Sequence, residues 1–292
     1  MSSNLSESLQ AIYAEVQRSA DRMGGCDPQW LRNSEPVQFS TVEIPTKSVD
    51  AQVPELVLLH GLLGALSNWD TVAPLMAEYS KPVALSLPIL TARRTEVKVK
   101  ALAAYTEVFI RSRKLTPVAL CGNSLGGHVA MRLCLARPEL VDCLILSGSS
   151  GLYEHSVDAL PVRPDRKYLR EHMARVFYQP QFTTDERIEE IYKIVSKRGN
   201  VLNLIHTARS AKKDNLLQVL KEIKVPVLLL WGEDDQVTTM QVAEQFHKNL
   251  PNSELVSIKN CGHAPMIEYP EWFAEQVQRF LKKHSRFSKV SS

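Results

Sequence analysis

The chain has 292 residues, of which 44% are hydrophobic, 23% charged and 7% aromatic. Those fractions are those of soluble globular proteins and exclude a mostly disordered chain, which lacks the core-forming residues to offset its conformational entropy. The formal net charge of +3 is too small to imply nucleic acid as a partner, and Lys282, Lys283, Arg286 and Lys289 concentrate basic charge at the C-terminal end. No run approaches the ~18 continuous apolar residues of a membrane-spanning helix. Met1-Ser2-Ser3-Asn4 does not begin the basic-then-apolar order of a secretory signal. The five scattered cysteines, Cys26, Cys121, Cys134, Cys143 and Cys261, form neither an even disulfide framework nor a C-x-x-C metal pair. A reduced, cytoplasmic protein with no metal is expected.

Taken in chain order, Leu5 to Ala20 places Leu5, Leu9, Ile12, Tyr13 and Val16 on one helical face, and Gly24-Gly25 ends it. Such a helix is expected to pack on its own domain. Gln38 to Ile44 alternates like an exposed strand, and Glu55 to Leu59 reads as a buried one. Trp69 to Tyr79 reads as helix, Pro82 to Leu87 as strand and Val97 to Leu115 as helix. Strand Val118 to Gly122 leads into helix Leu125 to Ala136, then strand Cys143 to Ser147. Past a long interruption come strand Val225 to Trp231, helix Val242 to Asn249, strand Glu254 to Ile258 and helix Glu271 to Lys283. Short apolar strands alternating with helices predict an α/β fold, a mostly parallel sheet with helices on both faces. The interruption, Gly151 to Glu222, holds no buried strand but has helical patterns at Asp185 to Lys197 and Asn200 to Ala211, punctuated by Pro161, Pro164 and Pro180. It predicts an inserted helical layer. The boundaries are then 1–25 for an N-terminal helical extension, 26–150 and 223–292 for the α/β core, and 151–222 for the insertion.

Four loops follow strands and carry reactive residue types. Gly122-Asn123-Ser124-Leu125-Gly126-Gly127 puts Ser124 on a tight strand-to-helix turn with its hydroxyl outward. Side chains two positions either side would strike the adjoining elements, so glycine is needed at 122 and 126, and the helix that follows aims its N-terminal amides at the site. His60-Gly61-Leu62-Leu63-Gly64 can bring the Leu62 backbone N–H to the same point as that of Leu125, forming an oxyanion hole. Trp231-Gly232-Glu233-Asp234-Asp235 offers a carboxylate at a strand end, with Asp235 preferred to Asp234. Cys261-Gly262-His263-Ala264-Pro265 offers an imidazole. The other histidines, His128, His155, His172, His206, His247 and His284, read as structural. Ser124, Asp235 and His263 each follow a separate strand, where parallel sheets bind ligands, and in an order used by one known hydrolase class. Seven of the 12 glycines lie in these four loops, where tight turns need them.

With the motifs LLHGLLG, CGNSLGG, LLLWGEDDQV and CGHAPMIEYPEWF, the chain resembles α/β-hydrolase-fold proteins from about Phe39 to Leu281. The resemblance implies Ser124 as nucleophile, His263 as base, Asp235 as its orienter, Leu62 and Leu125 as oxyanion donors, and 151–222 as a helical cap. His60, Gly61 and Asn123 are expected beside the substrate. No cofactor is implied. The expected substrate is a small apolar acyl or aromatic ester, and Tyr153, Tyr168, Phe177, Tyr178, Phe182 and Tyr192 of the insertion are expected mainly in the cap's own core. G-N-S-x-G-G also resembles the elbow of meta-cleavage-product hydrolases, which cut a C–C bond in vinylogous diketones. Those enzymes usually have tryptophan after the catalytic histidine, where this chain has Ala264, and a gripping cap arginine, for which Arg187, Arg198 and Arg209 are candidates. Serine at 124 excludes the aspartate mechanism of haloalkane dehalogenases and epoxide hydrolases. A non-catalytic receptor or scaffold on the same fold is the rival from another class.

Overall fold

A computed structural model describes residues 7–25, 28–47, 53–64, 66–115, 117–152 and 163–285. Leu5, Cys26, Tyr153, His155, Pro161, Arg286 and Lys289 therefore lie outside the described residues. Seven strands form one sheet: β1 (Thr41–Glu43), β2 (Glu55–Leu59), β3 (Lys81–Leu85), β4 (Val118–Asn123), β5 (Val141–Ser147), β6 (Val227–Gly232) and β7 (Ser253–Ile258). Their order is β1-β3-β2-β4-β5-β6-β7, with β1 antiparallel to β3 and every other pairing parallel. The central strands are apolar because both faces are covered: Leu56, Val57, Leu58 and Leu59 are all fully buried, each burial stabilising by roughly 1.5–3 kcal/mol relative to exposure.

The helices are α1 (Glu7–Arg22), α2 (Gln29–Arg32), α3 (Ala73–Met76), α4 (Val99–Ser112), α5 (Leu125–Ala136), α6 (Arg166–Val176), α7 (Asp185–Val195), α8 (Arg198–Lys213), α9 (Met240–Asn249), α10 (Pro265–Glu268) and α11 (Pro270–His284). α1, α4 and α5 pack together, while α3 packs with α11. α1 is latched by polar contacts as well as by its apolar stripe. The buried Arg137 guanidinium donates to Ser19 Oγ and to the Glu15 carboxylate, and pairs with the buried Glu107 at 3.2 Å. The expectation that this helix packs on its own domain therefore holds.

The expected helix over Trp69–Tyr79 is replaced by a 3₁₀ turn at Leu66–Trp69 and the single turn of α3. Pro74 explains the break, since it has no N–H to donate and its ring clashes with the preceding turn. The expected strand from Gln38 to Ile44 shortens to the edge strand β1, whose Val42 is exposed. Between β5 and β6 the described residues form α6, α7 and α8 and no strand. α6 was not foreseen from the sequence. Its signal is Asp165, whose carboxylate accepts the Tyr168 N–H at 2.7 Å as an N-cap.

Candidate active site

β4 ends at Asn123 and α5 begins at Leu125, so Ser124 alone makes the turn between them. It does so with φ 54° and ψ −117°, a positive φ that is costly for a residue with a side chain. The surroundings hold it there. Its N–H donates to the Ser147 carbonyl (3.0 Å), and its own carbonyl accepts from Gly127 (3.1 Å), His128 (3.3 Å) and Ser150 (3.1 Å). The need for glycine is steric, as the spacing implied. A Cβ at Gly122 would overlap the Gly126 backbone, and one at Gly126 would overlap the Leu59 carbonyl.

Asp235 and His263 come together from the loops after β6 and β7. His263 Nδ1 lies 2.8 Å from Asp235 Oδ2. The Asp235 carboxylate also accepts from the N–H groups of Val237 (2.7 Å) and Thr238 (2.9 Å) and from Thr238 Oγ1 (2.9 Å). These donors fix the orientation of the carboxylate toward His263. Asp234 points elsewhere, accepting the Asn260 N–H at 3.0 Å, which favours Asp235 over it as the histidine's partner. His263 is anchored through its backbone, its N–H donating to the Val176 carbonyl at 2.7 Å.

Ser124 and His263 line one cavity of about 550 Å³, together with Gly61, Leu62, Asn123 and Leu125. Leu125 is the first residue of α5, where an amide has no intrahelical acceptor. Among the described residues, neither its N–H nor that of Leu62 donates to a backbone carbonyl. Gly61 approaches Ser124 so closely that a Cβ there would stand 3.2 Å from the serine Cβ. Asn123 reaches the cavity, but its amide nitrogen is committed to the Ser147 and His263 carbonyls, both at 3.1 Å. It ties the serine turn to the histidine loop.

His60 departs from expectation. It is buried and is absent from the cavity lining. The Leu87 N–H donates to its Nε2 (3.0 Å), so the proton sits on Nδ1 and is shared with the Gly61 carbonyl (2.7 Å). Burial holds its pKa below the usual value, which keeps the ring neutral as a strut between two loops. Of the three candidate arginines in the insertion, Arg187 alone lines the cavity, its guanidinium carbon 5.1 Å from the centre of the Phe177 ring. Tyr168 and Phe177 also face the cavity, whereas Tyr178 is exposed.

The model of the alpha/beta hydrolase family matches residues 56–276. The chain belongs to that family. This alpha/beta hydrolase is 30% identical over 235 residues to a pimeloyl-[acyl-carrier protein] methyl ester esterase of Nitrosomonas europaea, covering 75% of this chain and 92% of that one. It is 26% identical over 252 residues to a 2-hydroxy-6-oxo-6-(2'-aminophenyl)hexa-2,4-dienoic acid hydrolase of Metapseudomonas resinovorans, covering 81% and 87%. Among solved structures, an alpha/beta hydrolase enzyme from the metagenome of Mar Chica lagoon sediments in Morocco superposes with a TM-score of 0.68 at 30% identity, covering 85% and 96%. A meta-cleavage product hydrolase from Pseudomonas fluorescens shares the fold, with a TM-score of 0.73 at 18% identity, covering 84% and 94%.

Several residues of the hydrolase that shape this site were not singled out in the sequence. Thr238 clamps Asp235. Gly148, at φ 49°, leaves room for the imidazole, since a Cβ there would stand 2.8 Å from His263 Nδ1. Glu268 is buried and accepts from the N–H groups of Gly262 (2.7 Å) and Gln179 (2.9 Å), joining the histidine loop to the segment after α6. Burial pushes its pKa up against those donors. His172, read from the sequence as structural, lines the cavity. Thr238 had a legible signal, three residues after an aspartate at a strand end, and Glu268 had none beyond its place in an apolar run. Among the described residues no three His, Cys, Asp or Glu side chains gather as metal ligands, and no helix is long and apolar enough to cross a membrane.

Proposed function

We propose that this chain is a serine hydrolase that cleaves a small carboxylic ester or related acyl substrate. One observation carries the reading: His263, hydrogen-bonded at 2.8 Å to the buried Asp235, lines the same cavity as a serine held at positive φ on a strand-to-helix turn. His263 takes the Ser124 proton as the serine oxygen attacks the carbonyl carbon. Asp235 holds the imidazole tautomer and stabilises the imidazolium. The N–H groups of Leu62 and Leu125 receive the oxyanion, each worth roughly 2.7–4 kcal/mol by comparison with a related site. His263 then protonates the leaving group, and a water activated by the same ring releases the acyl group and restores Ser124. This chemistry calls for no metal or organic cofactor.

The insertion, 151–222, acts in this reading as a cap that sets substrate size. Leu62, Leu63, Met173, Phe177 and Ile191 give the cavity an apolar wall that suits an apolar acyl or aromatic group. The ester named for the Nitrosomonas relative supports ester cleavage. The buried free thiols Cys121, Cys134, Cys143 and Cys261 are consistent with a reducing, cytoplasmic setting.

A second reading, hydrolysis of a C–C bond in a vinylogous diketone, draws support from Arg187 in the cavity, where it could grip a substrate carboxylate, and from the acid named for the Metapseudomonas relative. A screen of p-nitrophenyl esters of rising chain length beside a vinylogous diketone separates the two, and we expect the esters to turn over. Ser124→Ala should lower kcat by about 10⁶-fold with an unchanged circular dichroism spectrum. Wild-type ester turnover in that variant would sink the assignment. A receptor or scaffold would fail to label quickly at Ser124 with a fluorophosphonate.

A further inference from the structure

α6 brings a second imidazole into the site. His172 lines the cavity that holds Ser124 and His263. Its ring stacks on Tyr168 with centroids 6.1 Å apart and planes 14° from parallel. Among the described residues neither ring nitrogen has a hydrogen-bond partner. Its neighbours at the cavity on α6 and just past its end, Met173, Val176 and Phe177, are apolar, while Glu186, Arg187 and Glu190 of α7 line the same cavity. A polar ring left unpaired beside apolar neighbours costs desolvation energy unless a ligand or water meets it.

The position of His172 relative to His263 is fixed by backbone contacts. Val176, one helical turn further along α6, accepts the His263 N–H at 2.7 Å. The same strand of contacts forbids a side chain at Gly262, where a Cβ would run into the Val176 carbonyl. Glu268 then bridges Gly262 and Gln179 just beyond the end of α6. α6 is therefore registered to the histidine loop and does not hang over it freely. Burial, Arg175 and the nearby His263 all lower the pKa of His172, so the ring is neutral at pH 7 and one of its nitrogens donates.

The geometry of the reaction says which atom such a donor meets. The substrate carbonyl oxygen turns toward the Leu62 and Leu125 amides. The leaving-group oxygen must face His263, because that ring gives it a proton. His172 lines the same cavity as His263, on the helix whose Val176 carbonyl holds the His263 loop, which puts the same oxygen within its range. We propose that His172 hydrogen-bonds the leaving-group oxygen while the acyl–oxygen bond breaks, a role that rests on the serine-hydrolase reading above. In that step the electron pair of the acyl–oxygen bond goes to the departing oxygen, and the proton that His263 took from Ser124 follows it. The acyl group stays on Ser124. His172 exchanges no proton; its N–H shares the charge growing on the oxygen, where a bond to a charged acceptor is stronger than a neutral one.

The test is a comparison of two esters of one acid, an ethyl ester and a p-nitrophenyl ester. Ethoxide is a poor leaving group that needs help, whereas p-nitrophenolate departs with little. His172→Phe should lower kcat/KM for the ethyl ester about 30-fold and for the p-nitrophenyl ester about 3-fold. His172→Gln, which keeps a hydrogen-bonding amide, should recover most of the ethyl-ester loss. Equal losses on both esters, or no loss on either, would overturn the proposal while leaving the serine reading intact. Turnover that survives Ser124→Ala would remove the serine reading and the proposal together. Should the phenylalanine variant fold poorly, the ratio of the two esters in His172→Gln against His172→Leu decides the question alone, equal ratios overturning it.

Discussion

The floor and the roof of the cavity are built by different means. The floor is the C-terminal edge of the sheet, where Val118–Asn123, Val141–Ser147 and Val227–Gly232 are buried along their whole length. Backbone hydrogen bonds and glycine contacts there leave Ser124 one conformation. The roof is α6, α7 and α8. Each has an apolar inner stripe, with Leu169, Ile188, Val201 and Leu204 buried, but the outer face is held by pairs between exposed side chains, Arg166 with Glu189 and Arg170 with Asp185. The difference suits a reaction centre on the floor and a roof that, His172 apart, acts on substrate selection. Reacting groups need placement within a fraction of an ångström, which backbone contacts supply, whereas a wall that only sorts substrates tolerates exchange of side chains.

The largest effect should come from breaking the floor. Gly126→Ala would drive a Cβ into the Leu59 carbonyl and close on that of His60. Both neighbours are backbone, so relief requires moving β2 or α5 as a whole. We expect a loss of about 3 kcal/mol or more of stability in urea unfolding, at the upper end of overpacking costs, with activity lost in step. A variant as stable as wild type would show that the turn is looser than its contacts say.

The same contrast explains what was legible in the sequence. The four floor loops could be read because each function leaves a local mark. Gly122 and Gly126 flank Ser124 because no side chain fits, and helix α5 begins and ends where its apolar pattern does, at Leu125 and Ala136. The choice of Asp235 over Asp234 followed from loop position, and the structure supplies its reason in the Val237 and Thr238 donors. The roof could not be read so well. α6 carries charged residues at Arg166, Lys167, Arg170, Glu171 and Arg175, which mask the one face that meets the cavity. His172 gains its significance from Val176 meeting His263 across 87 residues of chain, a pairing that no local pattern encodes. His60 misled for the converse reason: its place beside Gly61 suggested a substrate contact, and only the three-dimensional position of Leu87 shows both ring nitrogens occupied.

At the seam between floor and roof the effect should be intermediate and dependent on pH. Asp214, just past the end of α8, accepts from Arg132 Nε (2.6 Å) and Nη2 (2.7 Å) of α5, and His128 Nε2 lies 3.2 Å away. Burial pulls its pKa up, but the bonds and charges of His128 and Arg132 outweigh that and bring it down to about 2 from 3.8. A carboxylate depressed by folding stabilises the folded state above its unfolded pKa and loses that contribution as pH falls through the folded value. Asp214→Asn should therefore cost about 2 kcal/mol at pH 7, and the gap from wild type should shrink as pH falls from about 4 toward about 2. A gap that stayed constant over that range would mean that the pair to Arg132 contributes nothing to joining the roof to the floor.

The smallest effect should come from the outer face of the roof. Arg166 makes a two-pronged contact with Glu189, Nε to Oε2 at 2.8 Å and Nη2 to Oε1 at 3.1 Å, and its guanidinium lies 3.7 Å from the centre of the Tyr192 ring. The geometry is as good as an ion pair offers, yet both charged side chains are about half exposed, at 56% and 42%, so water and salt compete for every bond. Arg166→Ala should shift the melting midpoint by at most about 2 °C, and most of that shift should vanish in about 1 M salt, where the screening length falls to about 3 Å. Arg166→Lys should behave like the alanine variant, because a point charge cannot reproduce the planar fork. Activity on an apolar ester should not change, since Arg166 is not among the residues that line the cavity. A drop of about 8 °C would make the roof's outer face as tightly specified as the floor, and the division between a backbone-held reaction centre and an exchangeable wall would no longer stand.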